Sequence, residues 1–320
     1  MKKILIIQTA FIGDVILATP VISELNRVLP DSKIDVLVRK GNESLLANNP
    51  FINSVLTLDK KNKKWKEIPK IIQQIRNEKY DEIINLHRYA SSGIFTVFGN
   101  AKATVGFKNN PLSFLYTRKI SHSLSNNQHE VERNLACVLH HGTESRIRPS
   151  LFPSQEDFKN IEQYKTGNYF CLTPASVWFT KQLPKHKWVE LVQLLEKKGE
   201  VYLLGGKTDI ELCESIIEQS KSKRAVNLAG KLSFLESAAL MKQATRNFVN
   251  DSGPLHISSA MNAPVTAFFC STIPAFGFGP LSDDSEIKQV QNLACRPCGI
   301  HGHKVCPKNN FLCGEMIDIQ

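Results

Sequence analysis

Asp14 is the carboxylate whose setting in this sequence points most directly to chemistry. It follows Gly13 in residues 8–20 (QTAFIGDVILATP), just after the apolar run Ile4, Leu5, Ile6, Ile7. Four apolar residues bounded by polar ones suit a strand buried on both faces of a parallel sheet. Val15, Ile16, Leu17, Val21, Ile22, Leu25, Val28 and Leu29 then recur with helical spacing. Asp14 therefore stands where a strand hands over to a helix, at the carboxyl end of the sheet, where open α/β sheets bind their ligands. With Gly13 permitting close approach, Asp14 reads either as a general base or as a helix cap.

Two further turns combine chemistry with the same kind of position. Residues 250–256 (NDSGPLH) lie between an expected strand and an expected helix. The backbone N–H groups of such a helix start suit a diphosphate, with Gly253 allowing close approach. Asp251 could there accept from sugar hydroxyls and His256 reach a phosphate, or Asp251 could be an N-cap and His256 a structural residue. In residues 173–184 (TPASVWFTKQLP), Thr180 and Lys181 offer a hydroxyl and a cation against developing phosphate charge. The usual nucleotide signatures fail. Gly206-Lys207-Thr208 resembles the end of a P-loop, but Val201 stands where its first glycine belongs, and no G-x-G-x-x-G follows a first strand. Near the end of the chain, Cys295, Cys298, Cys306 and Cys313, with His301 and His303 among them, are compatible with a structural zinc site, with reduced thiols or with disulfides.

These residues need a scaffold of alternating strands and helices. Strands are expected at 33–39, 54–59, 80–87 and 101–107, and helices at 65–77 and 129–141. A polar stretch at 142–167 contains Pro149 and Pro153, and the boundary between domains 1–155 and 156–320 is placed there. Strands at 169–173, 201–204, 225–228, 246–250 and 264–269 then alternate with helices at 187–197, 209–219, 233–241 and 255–261. Two such runs predict an α/β protein with two Rossmann-like domains facing each other across a cleft.

The 320 residues, 42% hydrophobic and 22% charged, suffice for two globular cores. No apolar run approaches the roughly 20 residues of a membrane span. The short start MKKILIIQ reads as a first strand rather than a signal peptide, and a cytoplasmic location follows as the expectation. Residues 1–150 carry 22 Lys+Arg against 13 Asp+Glu, whereas the remainder is nearly balanced. The run Lys60, Lys61, Lys63, Lys64, Lys66 contributes to this excess, which suits a polyanionic partner or a solvated surface. With Trp65 its only ring, it offers little for base stacking, and no nucleic-acid partner is expected.

Taken in order, GDVILATP at 13–20, PASVWFTKQLP at 174–184, NDSGPLH with Ala260 four residues beyond, VTAFF at 265–269, the loop at 274–280 and the cysteine-rich tail resemble glycosyltransferase family 9, the ADP-heptose:lipopolysaccharide heptosyltransferases. The resemblance covers most of the chain. It implies a GT-B fold, with acceptor bound mainly by the first domain and donor by the second. It also implies an inverting transfer, with no metal and no cofactor, from ADP-heptose to an anionic lipid A–core acceptor, in an enzyme placed in the cytoplasm or peripherally at the inner membrane. Carried over residue by residue, Asp14, beside Gly13, matches the base and Lys181 the phosphate-binding lysine. Asp251 matches the sugar contact, and Ser252, Gly253 and His256 the diphosphate turn; Thr180 fits as a second phosphate contact and Asp209 as a weaker ribose candidate. Ala175, Leu183 and Cys270 depart from the family pattern and bear on donor details. A GT-B enzyme with another donor, an epimerase, and a non-catalytic basic surface binder are the rival readings.

Overall fold

In the computed structural model of the chain, the structure describes residues 1–60, 64–124, 127–144, 147–165 and 167–319, with backbone only at 64–66. The chain divides into two compact units, Met1–Phe152 and Pro153–Gln320.

The first unit runs β1 (Lys3–Gln8), α1 (Ile12–Val28), β2 (Lys33–Arg39), β3 (Ser54–Leu58), α2 (Lys64–Glu78), β4 (Glu82–Asn85), α3 (Ala90–Phe98), β5 (Ala103–Phe107), β6 (Arg118–Ile120) and α4 (Glu130–Ala136). Its six strands are all parallel, in the order β3-β2-β1-β4-β5-β6. Ile4, Leu5, Ile6 and Ile7 are each fully buried, as a central strand covered on both faces requires. Strand β1 pairs with β2 on one side and β4 on the other, so the order reverses at β1 and a crevice opens at the carboxyl ends of β1 and β4.

Helix α1 carries Pro20 in its interior, where proline removes the N–H owed to the carbonyl of Ile16. The Thr19 hydroxyl donates to that carbonyl at 2.7 Å and restores the bond. The expected helix over 129–141 is two pieces, α4 and a 3₁₀ turn at Leu139–His141. Cys137 and Val138 are drawn into the core, and Val138 N–H reaches only the Leu135 carbonyl.

The second unit runs α5 (Gln155–Asn160), β7 (Tyr169–Thr173), α6 (Lys185–Leu195), β8 (Glu200–Leu203), α7 (Ile210–Ser220), β9 (Ala225–Asn227), α8 (Phe234–Gln243), β10 (Arg246–Asn250), α9 (Gly253–Met261), β11 (Val265–Phe269), β12 (Ser285–Gln289) and α10 (Leu312–Glu315). Its parallel sheet, ordered β12-β11-β10-β7-β8-β9, reverses between β7 and β10. Its core packs Trp188, Leu191 and Val192 of α6 with Leu172, Leu203 and Phe268 of the sheet. Helix α5 falls in the stretch expected to be polar linker. A capping box sets it, with Ser154 Oγ accepting from Asp157 N–H and the Asp157 carboxylate accepting from Ser154 N–H. The edge strands β6 and β12 lack the apolar runs that mark β1, β7 and β11. Among the described residues, no helix is long and apolar enough to cross a membrane.

Candidate active site

In the first unit, Asp14 lies at the reversal point of the sheet. It is not the N-cap of α1; Phe11 is, and Asp14 sits in the third helical position. From there its carboxylate turns back and accepts the Phe11 N–H at 3.1 Å. The side chain is partly buried, and burial pushes its pKa up to about 6 from an ordinary 3.8. The negative charge of Glu130 adds to the rise, while the Phe11 N–H and the Arg88 guanidinium oppose it. Asp14 thus holds its proton to about pH 6, well above an ordinary aspartate.

Glu130 is buried at the start of α4. Arg133 Nε donates to its carboxylate at 2.7 Å, and His122 Nε2 lies 3.1 Å from it. Arg133 is itself buried and donates to the carbonyls of Ser123 and Gln128. The Asn134 amide donates to the Leu17 carbonyl at 3.1 Å, tying α4 to the helix that carries Asp14. Beyond the end of β4, His87 Nδ1 lies 3.1 Å from the Thr9 hydroxyl. Burial, then the charges of Lys60 and Arg88, lower its pKa to about 3, so its imidazole is neutral. Lys60 Nζ donates to the Thr9 carbonyl. Lys61 and Lys63 of the basic run lie outside the described residues, as do the side chains of Lys64, Trp65 and Lys66.

In the second unit, the loops after β7 and β10 meet at the other reversal point. Lys181, which ends a 3₁₀ turn at Phe179–Lys181, places Nζ 2.7 Å from Asp251 Oδ2. The Thr272 hydroxyl donates to the same oxygen at 2.6 Å. Ser252, not Asp251, is the N-cap of α9, with Gly253 and Pro254 in its first positions. At this helix start the N–H groups of Ser252 and Gly253 stand beside the Lys181–Asp251 pair, Pro254 having none and the Leu255 N–H being given to the Ser252 carbonyl. His256 is buried one turn into the helix, its ring centroid 6.4 Å from that of Phe278. Asn250 steadies the turn: its amide donates to the Pro174 carbonyl at 2.8 Å and its oxygen accepts the Leu183 N–H at 2.9 Å.

Thr180 is brought beside Lys181 but is engaged within the protein. Its hydroxyl accepts the His303 N–H at 2.7 Å and lies 3.0 Å from Ser271 Oγ. The cysteine-rich tail therefore packs directly under the lysine. Gly302 has φ +73°, and a Cβ there would fall 2.9 Å from Thr180 Oγ1 and 3.0 Å from Lys181 Cγ, so only glycine fits. The Arg296 guanidinium gathers the carbonyls of Phe269, Cys270, Thr272 and Val290, and Cys298 N–H donates to the Ser271 carbonyl. All eight cysteines are free thiols, and none is in a disulfide. Asp209 lies after β8, away from the β7/β10 reversal, and accepts the Gly206 N–H at 2.8 Å.

Glu130, Arg133, His122, His87 and Thr272 did not emerge from sequence reasoning. For the first three a signal existed: a histidine, a glutamate and an arginine clustered around a short amphipathic stretch. For Thr272 there was none, since its partner Asp251 is 21 residues away.

Residues 68–308 match the profile of Glycosyltransferase family 9 (heptosyltransferase). The chain is 31% identical over 279 residues to lipopolysaccharide heptosyltransferase 3 of Escherichia coli, covering 82% of each chain. Its fold is that of the E. coli ADP-heptose lps heptosyltransferase II, with TM-score 0.80 at 21% identity over 97% of this chain and 96% of that one. The E. coli heptosyltransferase WaaC with ADP gives 0.74 at 19% identity over 89% and 92%.

Proposed function

The chain belongs to glycosyltransferase family 9, the heptosyltransferases, and from that premise we propose that it moves a heptose from ADP-heptose to a lipopolysaccharide inner-core acceptor with inversion, Asp14 serving as the base. The first unit supplies the base and the acceptor site, and the second holds the nucleotide sugar. The observation that carries this reading is the Asp14 carboxylate at the reversal point of the first sheet, held by the Phe11 N–H, its pKa raised chiefly by burial. In the reaction Asp14 takes the proton of the acceptor hydroxyl while its oxygen attacks the anomeric carbon. The bond from that carbon to the diphosphate oxygen breaks on the opposite face, and ADP leaves with the electron pair.

The departing charge needs donors and cations in place beforehand. Lys181 and the N–H groups of Ser252 and Gly253 supply them without calling on a metal ion; Pro254 has no N–H to give, and that of Leu255 is taken by the Ser252 carbonyl. An arriving diphosphate draws the Lys181 ammonium from Asp251, which Thr272 continues to hold and which is then free to accept sugar hydroxyls. Gly13 gives the acceptor room beside Asp14. His256 stands behind the diphosphate turn. Thr180, whose hydroxyl already meets His303 and Ser271, acts by positioning Lys181, and Asp209, the ribose candidate, acts only through the turn after β8 that it holds by the Gly206 N–H. The excess of Lys and Arg in the first 150 residues suits a phosphorylated, acidic acceptor and the anionic face of the inner membrane to which it is anchored.

The test is ADP release from a panel of nucleotide sugars, with and without extracted lipid A–core acceptors. ADP-heptose should be consumed only when acceptor is present. Turnover without acceptor would point to an epimerase or hydrolase, and turnover of another donor would correct the sugar.

A further inference from the structure

A second cluster of ligand-bearing side chains occupies the amino edge of the first sheet, the edge opposite Asp14. Glu82 opens β4 there, and Lys2 immediately precedes β1. Glu82 is only 2% exposed, yet its carboxylate serves three neighbours. Oε1 lies 2.9 Å from His140 Nε2; Oε2 lies 2.8 Å from His141 Nε2 and 2.8 Å from Lys2 Nζ. Lys2 Nζ also lies 3.5 Å from His141 Nε2. The two imidazoles leave the 3₁₀ turn at Leu139–His141 side by side, ring centroids 4.0 Å apart. Among the described residues this is the one group of three or more histidines, cysteines or carboxylates whose ligand atoms all lie within 4.8 Å of one another.

We infer that Glu82, His140 and His141 form a binding site for a divalent transition-metal ion, separate from the transferase chemistry. Two imidazole nitrogens and one carboxylate are a donor set for zinc, cobalt or nickel, whereas magnesium and calcium prefer oxygen alone. Metal–ligand bonds of about 2.0–2.2 Å in a tetrahedron set ligand atoms roughly 3.3 Å apart. The two imidazoles meet different oxygens of Glu82, and with one ligand atom taken from each residue the three lie within 4.8 Å of one another, so side-chain torsions must draw them together around an ion. The cation now serving this site is the Lys2 ammonium, on a side chain one-third exposed that can swing into water. A metal ion would take its place, each imidazole shifting its remaining proton to Nδ1. The consequence is structural. An ion here would fasten the turn that follows α4 to the first residue of β4, and α4 carries the Glu130–Arg133 pair and the Asn134 bond to α1. This inference does not depend on the identity of donor or acceptor.

The thiols of the cysteine-rich tail are themselves soft-metal ligands, so the experiment must tell the two apart. Full-length protein, stripped with chelator and desalted, is titrated with cobalt chloride, with magnesium chloride as control. A thiolate site gives an intense near-ultraviolet charge-transfer band, whereas an imidazole–carboxylate site gives only visible d–d bands. In a Cys298→Ser, Cys306→Ser protein, one equivalent of cobalt should bind with visible bands alone and raise the melting temperature saturably. His140→Ala with His141→Ala should abolish that binding, and Lys2→Gln should tighten it severalfold. If the thiol variant folds poorly, wild type is used instead, where the charge-transfer and d–d signals titrate separately and only the second should vanish in the histidine variant. Glu82→Gln is the alternative if the histidine variant is unstable, and it should weaken cobalt binding at least tenfold. Failure of the thiol-silenced protein to take up cobalt, or equal uptake with both histidines replaced, would overturn the assignment.

Discussion

Replacing Asp14 by asparagine should slow the enzyme and stabilise it at once, and the two effects together separate a base from a helix cap. The folded carboxyl keeps its proton up to about pH 6, whereas the unfolded one releases it near 3.8. Between those values the folded state binds more protons, so stability falls as pH rises through the window, and the cost is complete above about pH 7. A shift of about two units corresponds to about 3 kcal/mol, which solvent screening of a partly exposed side chain reduces to about 1–2 kcal/mol. Asparagine keeps an oxygen for the Phe11 N–H and carries no charge to desolvate. Asp14→Asn should therefore be more stable than wild type at pH 8 by that amount, with the difference gone by pH 3. Turnover should fall about 10²–10⁴-fold, the usual contribution of a general base. Wild-type kcat/KM should lose about tenfold per pH unit below pH 6, and the variant should lack that limb. Urea unfolding at the two pH values and initial rates of ADP release from pH 4.5 to 8.5 supply the measurements. If the variant instead lost about 0.5–2 kcal/mol at pH 8 and kept its turnover, Asp14 would be a structural residue of α1 and the mechanism would need another base.

Glu130→Gln removes a negative charge that raises the Asp14 pKa, so the acid limb of the rate profile should move to lower pH; an unmoved limb would break the proposed link between α4 and the base. Lys181→Ala should cost about 1.5–3 kcal/mol in kcat/KM for the donor, as for a lost charge-assisted hydrogen bond. It should also destabilise the second unit by leaving the buried Asp251 carboxylate without its cation, and Asp251→Asn in the same chain should restore stability without restoring activity. Gly302→Ala should weaken donor use and lower the melting temperature, because its Cβ would displace Thr180, Ser271 and the Lys181 stem; an unchanged donor KM would uncouple the tail from the site. Cys298→Ser should lower stability more than chemistry, and loss of turnover in a protein of wild-type melting temperature would contradict a structural tail.

The sequence by itself determined the two α/β units and the handovers that bear Asp14, Lys181 and Asp251. Buried parallel strands must be continuous apolar runs, and the helices that cover them must carry an apolar stripe, so both patterns are local and readable. The polar residues that interrupt those patterns stand at strand ends, which is where such sheets bind ligands. Tertiary structure alone decided what those residues meet. That β1 and β4, and β7 and β10, are neighbours follows from strand order, which no local pattern encodes. Hence the burial that chiefly raises the proton affinity of Asp14, and the Glu130 charge that adds to it, come from parts of the chain distant in sequence, while the Phe11 N–H that opposes them is local. Thr180 reads as a free hydroxyl beside a lysine, but the fold brings His303 and Ser271 to it from elsewhere in the chain and makes it a strut. The same holds at the other end of the first sheet, where Lys2, Glu82, His140 and His141 converge from three separate stretches. Burying the Glu82 carboxylate demanded compensation, and the nearest cationic and imidazole groups in space, not in sequence, supplied it.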